Sequence, residues 1–320
     1  MNKDFLCLSD WSLDALEKIF ALAKDLKSRQ KAGLKHHLLS GKTLGMLFEK
    51  SSTRTRVSFE VGMFQLGGHA LFLAGGSTQM GRGEPIKDTA RCMARYVDGV
   101  MIRTYSQQAV EEFAQYSSVP VINGLTDLYH PCQVMTDLFT VSEHKQNYRE
   151  LCYCWIGDGN NMANSWINAA AVFGFELRVA TPQGYAPDAG ICKRAADAGA
   201  RIFYTDDPRE AARNADVLNT DVWASMGQEA EQQERAKAFA DFQINMELVA
   251  LADPDCVVMH CLPAHRDEEI TDEVIESRHA IIYDEAENRL HVQKAIMTTL
   301  MGEHLQPQDA GCEAGKVSPT

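Results

Sequence analysis

The sequence predicts an α/β protein made of two doubly wound domains, each with a parallel sheet flanked by helices. Its 320 residues are long for one core and comfortable for two domains of about 150 residues each. Short apolar runs alternate with stretches of helical periodicity, which is typical of βα units and of parallel sheets. A polar segment at 144–150 interrupts this alternation. We therefore predict domains at 1–145 and 146–302, followed by a disordered tail at 303–320.

The first half begins with a helix predicted over 12–31, because its apolar residues recur at helical spacing behind a capping serine. The elements expected after it are, in order, strand 43–48, helix 53–65, strand 69–74, helix 89–96, strand 99–102, helix 108–116, strand 119–123 and helix 131–141. The pair Gly67-Gly68 ends the second helix, and Pro131 suits the first position of the last one.

The alternation restarts in the second half, which indicates a second set of βα units. The elements expected there are strand 151–156, helix 162–173, strand 176–180, helix 186–198, strand 201–204, helix 208–214, strand 217–220, a polar stretch at 224–236, strand 257–260, strand 280–284 and helix 289–301.

The composition restricts the possible partners. A net charge of −13 disfavours nonspecific binding to nucleic acid or to an anionic membrane, since both require a basic face. No apolar stretch reaches transmembrane length, and the N-terminus lacks a signal-peptide core. Nine irregularly spaced cysteines indicate neither a disulfide framework nor a zinc site. We expect a cytoplasmic protein with reduced thiols, in which any anion site is a local cationic cluster.

The first motif is Ser51-Ser52-Thr53-Arg54-Thr55-Arg56, which follows a predicted strand and opens a helix. A helix N-terminus offers free backbone N–H groups and a partial positive charge, which suit an anion. Hydroxyl and guanidinium groups there could surround a phosphate. The alternative is a capping serine on a solvated helix. Because cationic residues in the first turn oppose the helix dipole, that alternative leaves the arginines unexplained, and the anion site is favoured.

The second motif is His130-Pro131-Cys132-Gln133, at the start of a predicted helix. An imidazole and a carboxamide at this place could polarise a carbonyl group and bind an amide. His130 could equally be no more than the helix cap. The residues themselves leave the two interpretations open.

The third motif, Asp221-Val222-Trp223-Ala224-Ser225-Met226-Gly227, begins where a predicted strand ends. Ligand sites of open α/β sheets gather at such strand ends. Asp221 could hold an ammonium group, and Ser225 could add a hydrogen bond. An Asp-capped helix with Trp223 packed inward explains the same residues equally well.

The fourth motif, His260-Cys261-Leu262-Pro263-Ala264-His265-Arg266, also follows an apolar strand. A free cysteine is more often a small buried apolar residue than a nucleophile with a histidine base, so the motif alone favours the structural interpretation. Lesser candidates, which by default would be surface or capping residues, are Arg103, Gln79, Asn160, Asn161 and Arg289.

Two nucleotide-binding patterns fail on inspection. Gly41-Lys42-Thr43 imitates the end of a P-loop, but the first glycine of that pattern would fall at His36, and a strand follows instead of a helix. Gly157-Asp158-Gly159 suggests a dinucleotide fingerprint, but its third glycine position is Met162 and the expected ribose-binding acid is missing. Neither ATP nor NAD is indicated.

Taken together, these residues resemble the aspartate/ornithine carbamoyltransferase family. The run at 52–56 and the His-Pro-x-Gln at 130–133 are marks of the whole family. Three features resemble its ornithine branch: Asp221 with Ser225-Met226-Gly227, His260-Cys261-Leu262-Pro263, and Glu287-Asn288-Arg289. The motifs occur in the expected order across residues 1–302.

The resemblance implies a carbamoyl-phosphate-binding domain, then an amino-acid-binding domain, with the active site in the cleft between them. It assigns carbamoyl phosphate to Ser52, Thr53, Arg54, Thr55, Gln79, Arg103, His130, Gln133 and Arg289. It assigns ornithine to Asn161, Asp221, Ser225, Met226, Cys261 and Leu262. The residues expected to act in catalysis are Arg54, Arg103, His130, Gln133, Asp221 and Cys261. The resemblance also implies a homotrimer, with Gln79 reaching a neighbouring subunit's site, and no metal or organic cofactor.

The implied reaction transfers the carbamoyl group of carbamoyl phosphate to the side-chain amine of L-ornithine. That amine has a pKa of about 10.4 in water, so it must lose a proton before it attacks. Cys261 and Asp221 are expected to position it and favour its neutral form, with Cys261 not a covalent nucleophile. Arg54, Arg103 and His130 would stabilise the oxyanion. The rivals are a carbamoyltransferase for putrescine or aspartate, and a non-catalytic anion-binding subunit with the same fold.

Overall fold

The structure is a computed structural model, and it describes residues 2–75, 83–224 and 231–302. Within those ranges the strands form two parallel sheets. The first contains β1 (Thr43–Phe48), β2 (His69–Ala74), β3 (Gly99–Arg103) and β4 (Val121–Leu125), in the order β2-β1-β3-β4. The second contains β5 (Cys152–Ile156), β6 (Glu176–Ala180), β7 (Arg201–Thr205), β8 (Val217–Thr220) and β9 (Val257–His260), in the order β7-β6-β5-β8-β9.

Helices connect and cover these strands, and the predicted fold class is confirmed. They are α1 (Leu13–Lys31), α2 (Thr53–Gln65), α3 (Ile86–Met93), α4 (Gln107–Tyr116), α5 (Pro131–His144), α6 (Asn161–Phe173), α7 (Ala189–Asp197), α8 (Pro208–Ala212), α9 (Gln232–Ala238), α10 (Met246–Val249), α11 (Asp272–Ile275) and α12 (Ile282–Met301).

The strand orders place one switch point in each sheet. Successive strands proceed toward opposite edges from β1 and β3 in the first sheet, and from β5 and β8 in the second. Open α/β sheets bind ligands outside the carboxyl ends of the strands at such points. The loops that follow these four strands are therefore where the fold predicts a site.

The predicted strand at 280–284 is wrong. Only Ala280 forms a bridge, to Val258, and the chain enters α12 at Ile282. A short apolar run suits a buried strand and the buried start of a helix equally well, and periodicity cannot separate them over so few residues. Helix 89–96 is displaced to α3, because that helix begins directly after Pro85. The tail at 303–320 lies outside the described residues.

The two halves pack against each other through α1, α5, α6 and α12. Ser12 caps α1 as predicted, because its side chain accepts the Ala15 N–H at 3.3 Å. Phe20 of α1 has its ring centroid 5.8 Å from those of Phe139 on α5 and Phe173 on α6. Helix α12 packs on α1, α2 and α5 and also contacts β9. Side chains late in the chain therefore lie beside elements of the first half.

Two further observations concern the expectations from composition. In the part of the chain that the structure describes, no helix is both long and apolar enough to cross a bilayer. Every cysteine within the described ranges is free.

Candidate functional site

A cavity of about 890 Å³ lies at the carboxyl ends of the strands, and residues from both halves line it. The predicted site residues that line it are Ser52, Thr53, Arg54, Thr55, Arg103, His130, Gln133, Asn161, Asp221, Cys261, Leu262 and Arg289. Gln79, Ser225 and Met226 lie outside the described residues. The structure therefore brings together every predicted site residue that it describes, although their roles stay predictions.

The anion-binding motif forms the N-terminus of α2. Ser52 is the cap, and its Oγ accepts the Thr55 N–H at 3.2 Å. The first turn contains no acidic residue, so the partial positive charge of the helix end is left uncompensated. Thr53 and Arg54 are exposed where they line the cavity. This arrangement supports the anion-site interpretation of the motif.

Thr55 joins two further arginines to this helix. Its Oγ1 accepts from Arg103 Nη1 at 3.4 Å and from Arg289 Nη2 at 3.3 Å, and all three residues are buried. Arg103 is the last residue of β3, beside the end of β1. Burial, followed by the neighbouring Arg289, lowers the pKa of Arg103 to about 10, so its guanidinium remains a cation at neutral pH. Arg54, Arg103 and Arg289 thus make one side of the cavity cationic.

His130 stands at the N-cap of α5, but within the described residues its side chain makes no capping hydrogen bond. The backbone N–H of His130 donates to Ser165 Oγ at 2.8 Å, and its Nδ1 has no partner among those residues. Burial, then Arg289 and Arg103, lowers the pKa of His130 well below its usual value. A neutral imidazole beside the arginines can donate one hydrogen bond to a carbonyl oxygen, which favours the functional interpretation of this motif.

Gln133 is almost completely buried behind His130. Its Nε2 donates to Asp137 Oδ1 at 2.7 Å and to Glu285 Oε1 at 2.9 Å. Its Oε1 accepts from the Arg289 guanidinium. The carboxamide therefore has a defined orientation, with its nitrogen toward the carboxyl groups and its oxygen toward the arginine.

Asp221 and Cys261 line the same cavity, directly after β8 and β9. Cys261 Sγ donates to Asp221 Oδ1 at 3.2 Å, and Asn160 Nδ2 donates to Asp221 Oδ2 at 3.4 Å. Asn161 opens α6, and its Nδ2 donates to the Thr126 carbonyl at 2.6 Å. Burial, with Asp221 as the next cause, raises the pKa of Cys261 well above its usual value. The thiol is therefore neutral at physiological pH, and it is a poor nucleophile in that form.

Among the residues that the structure describes, two groups of three side chains place possible metal-ligand atoms within 4.8 Å of one another: Asp221, His260 and Cys261, and His265, Glu268 and Glu269. Both ring nitrogens of His260 already have protein partners. Its Nε2 contacts Glu269 Oε1 at 2.9 Å, and its Nδ1 accepts the Leu262 N–H at 2.9 Å. Hydrogen bonding thus accounts for the first group, while the expected absence of a metal stays a prediction.

Two cation pairs at the cavity were not predicted. The Lys50 Nζ lies 4.4 Å from the centroid of the Tyr105 ring and pairs with Asp127. Arg235 of α9 pairs with Asp158 at 2.8 Å. The position of Lys50 directly before Ser51 was a signal for the first pair. The second pair had none, because Arg235 belongs to a polar stretch that reads as solvated surface.

A close approach of two backbone segments requires the glycine at position 159. A Cβ at Gly159 would lie 2.3 Å from the Pro187 nitrogen and 2.4 Å from the Tyr185 oxygen, both backbone atoms. The Gly159 N–H donates to that Tyr185 oxygen at 2.9 Å. Two backbone segments at the edge of the cavity therefore approach so closely that no side chain fits.

Gly159→Ala is expected to destabilise the protein by about 1–3 kcal/mol, the usual cost of overpacking. The loop would have to move, and Asn160 and Asn161 would move with it. Chemical denaturation measures the change. Gly190→Ala on α7 is the control, because its Cβ would meet only side-chain atoms at 3.1 Å or more. Equal stability of the two variants would contradict the close approach at Gly159.

Known proteins of one family match this chain along nearly its whole length. Residues 3–143 match the family model "Aspartate/ornithine carbamoyltransferase, carbamoyl-P binding domain", and residues 149–300 match the corresponding "Asp/Orn binding domain". The ornithine carbamoyltransferase of Syntrophotalea carbinolica is 76% identical over 301 residues, covering 94% of this chain and 100% of that protein. That of Geobacter sulfurreducens is 62% identical over 302 residues, with coverages of 94% and 100%.

Solved structures give the same result. The ornithine carbamoyltransferase from Pyrococcus furiosus superposes with a TM-score of 0.90 at 51% identity, covering 93% of this chain and 96% of that chain. The anabolic ornithine carbamoyltransferase from Campylobacter jejuni has a TM-score of 0.88 at 43% identity, with coverages of 93% and 99%.

Proposed function

Since the chain belongs to the aspartate/ornithine carbamoyltransferase family, we propose that it transfers the carbamoyl group of carbamoyl phosphate to the side-chain amine of L-ornithine, giving L-citrulline and phosphate. One observation carries this proposal. A single cavity is lined by three arginines around a helix N-terminus and by Asp221 with Cys261. An anionic donor and an amine acceptor would therefore meet in it.

The two halves would divide the substrates between them. Residues 1–145 would bind carbamoyl phosphate and residues 146–302 ornithine, with the boundary in the link between α5 and β5 and the active site in the cleft. The names of the two matched family models support this division. The late helix α12 packs on the first half and would contribute Arg289 to the phosphate side.

The donor site would use the cationic wall. Ser52, Thr53 and Thr55 would meet the phosphate with hydroxyl and backbone N–H groups at the start of α2, as helix N-termini do for anions. Arg54 and Arg103 would neutralise the leaving phosphate. With His130, they would also stabilise the oxyanion on the carbamoyl group. Gln133 would bind the carbamoyl amide.

The acceptor site would use the residues after β8 and β9. Asp221 would receive the side-chain amine, and the neutral Cys261 thiol would orient it; Asn161, Ser225, Met226 and Leu262 would hold the rest of ornithine. Ammonium groups lose protons more easily when they are buried beside other cations. The arginines that line the same cavity would therefore favour the neutral amine that attacks the carbamoyl carbon.

A side-by-side assay tests the proposed function. Carbamoyl phosphate is supplied with ornithine, putrescine or aspartate, and the carbamoylated product is measured. We expect ornithine to be preferred by at least about 100-fold in kcat/KM, because polar groups built to bind a substrate group reject analogues that lack it. Putrescine lacks the α-amino and carboxylate groups of ornithine, and aspartate lacks the side-chain amine that Asp221 would receive. Comparable turnover of aspartate or putrescine would contradict the specificity. The absence of product from all three amines would indicate the non-catalytic alternative.

Cys261→Ser is expected to lower kcat/KM by about 10-fold without abolishing turnover, because a hydroxyl group can still donate to Asp221. Steady-state kinetics measures the effect, and Cys92→Ser on the exposed face of α3 is the control. Mass spectrometry of the parent protein during turnover checks the chemistry. A stable carbamoyl-thioester at Cys261 would show that the residue is a nucleophile after all.

The pH dependence of kcat/KM should reflect the ionisation of the ornithine side-chain amine and not that of His130. Because the pKa of His130 is lowered, its imidazole loses the proton at a lower pH than usual and is neutral throughout the range above about pH 6.5. We expect kcat/KM for ornithine to rise with pH as the neutral amine increases. His130→Gln should lower the curve without changing its shape. An ionisation near neutral pH that disappears in this variant would contradict the assignment.

We also propose a homotrimer with shared sites and a cytoplasmic location. The edge strand β2 exposes Leu71 and Phe72, and α2 beside it exposes Val57, Val61 and Phe64, so this face has the character of a subunit interface. The segment with Gln79 follows it in sequence. The free thiols support a reducing compartment. Sedimentation equilibrium tests the assembly, and a monomeric mass would contradict it.

A further inference from the structure

Two buried carboxyl groups face the same amide nitrogen directly behind the cavity. Asp137 of α5 is 0% exposed and Glu285 of α12 is 1% exposed. Gln133 Nε2 donates to Asp137 Oδ1 at 2.7 Å and to Glu285 Oε1 at 2.9 Å. Because both carboxyl groups accept from this one nitrogen, two negative charges there would lie close together. Neither residue was singled out by its sequence.

The surroundings do not support two negative charges. The nearby cation is Arg289, which donates to the Gln133 oxygen, while Asp221 and the Cys261 thiol lie on the acceptor side. Burial is the main cause that raises the pKa of both Asp137 and Glu285. Like charges at such a separation cannot both persist, so the pair holds one proton.

The hydrogen bonds indicate which residue holds the proton. Both Glu285 oxygens already accept N–H groups, since Oε1 receives Gln133 and Oε2 receives the His260 backbone N–H at 3.0 Å. Asp137 Oδ1 accepts from Gln133, whereas Asp137 Oδ2 has no partner among the described residues. An ionised Oδ2 would be a buried acceptor without a donor, so the proton of the pair is best placed on this atom.

We propose that Asp137, protonated, and Glu285, ionised, form one carboxyl pair that positions both substrate subsites. The two carboxyl groups accept hydrogen bonds from the Gln133 amide nitrogen, and this orients the Gln133 oxygen toward Arg289. Glu285 simultaneously holds the His260 backbone, which precedes Cys261. Both are positioning residues, and the inference rests on the proposed function because it assigns Gln133 to the carbamoyl group and Cys261 to the amine.

Isosteric variants test the asymmetry of the pair. Asp137→Asn replaces the O–H by an N–H donor, so kcat/KM should stay within about 3-fold of the parent. Glu285→Gln puts an NH₂ group against one of two N–H donors, so kcat/KM should fall by about 30-fold or more, mainly in kcat. Asp284→Asn, the exposed neighbour on α12, is the control and should match the parent. Equal losses in the two pair variants would overturn the proposal.

Infrared spectroscopy gives a readout that does not depend on activity. The parent protein should show a carbonyl band from one buried, protonated carboxyl group that resists hydrogen–deuterium exchange. Asp137→Asn should lose that band, whereas Asp284→Asn should keep it. A band unchanged in Asp137→Asn would place the proton elsewhere and overturn the proposal. If the parent forms no citrulline, the proposed function fails, yet the spectra still decide where the proton resides.

Discussion

Arg54→Ala is expected to lower kcat/KM by about 10²- to 10³-fold, the usual loss when one donor to a developing oxyanion is removed. Arg103 and Arg289 both donate to Thr55, whereas Arg54 is exposed in the first turn of α2 and lines the cavity. It is therefore the arginine best placed to meet an incoming phosphate. Steady-state kinetics with carbamoyl phosphate as the varied substrate measures the loss.

The same variant should not destabilise the fold. Arg54 is exposed, and a cation near a helix N-terminus opposes the helix dipole, so removing it should leave the melting temperature unchanged or slightly higher. Arg29→Ala on α1, which removes an exposed arginine paired with Asp25 at 2.7 Å, is the control and should keep full activity. Near-normal turnover of Arg54→Ala would refute the phosphate-site assignment.

The sequence predicted those helices and strands whose bounds are set by residues close to them in the chain. The strands before Ser51 and Asp221 are short, buried and followed by polar residues, and the order of motifs placed their ends at one edge of each sheet. The strand predicted at 280–284 failed because Ala280 makes a single bridge to Val258 of β9 and Ile282 already begins α12. A short apolar run does not distinguish a strand from the buried start of a helix.

The contacts within the site were harder to predict than the fold, because they join residues far apart in sequence. Thr55 was predicted as a phosphate ligand, but its contact with Arg289 joins residues 234 positions apart, and no local pattern encodes it. Asp137 had a usable signal, since it follows Gln133 by one helical turn and faces the same way. Glu285 had none, because its role exists only once α12 packs against α5.

Asp221→Asn is expected to lower kcat/KM for ornithine by about 10²- to 10³-fold, with carbamoyl phosphate binding nearly unchanged. Within the described ranges, the other carboxylates that line the cavity are Asp127 and Asp158, which are paired with Lys50 and Arg235. Asp221 has neutral partners instead: the Cys261 thiol, the Asn160 amide and the Val222 N–H. Its charge therefore remains available for an ammonium group that enters the cavity.

Binding of carbamoyl phosphate and turnover with ornithine can be measured separately in Asp221→Asn. Calorimetric titration with carbamoyl phosphate should give the same affinity for Asp221→Asn as for the parent, because the arginine wall is untouched, while turnover with ornithine collapses. Asp255→Asn, an exposed carboxylate in the loop before β9, is the control and should match the parent in both measurements. If Asp221→Asn loses carbamoyl phosphate binding as strongly as turnover, Asp221 serves the donor or the fold, and the acceptor amine must be received elsewhere in the cavity.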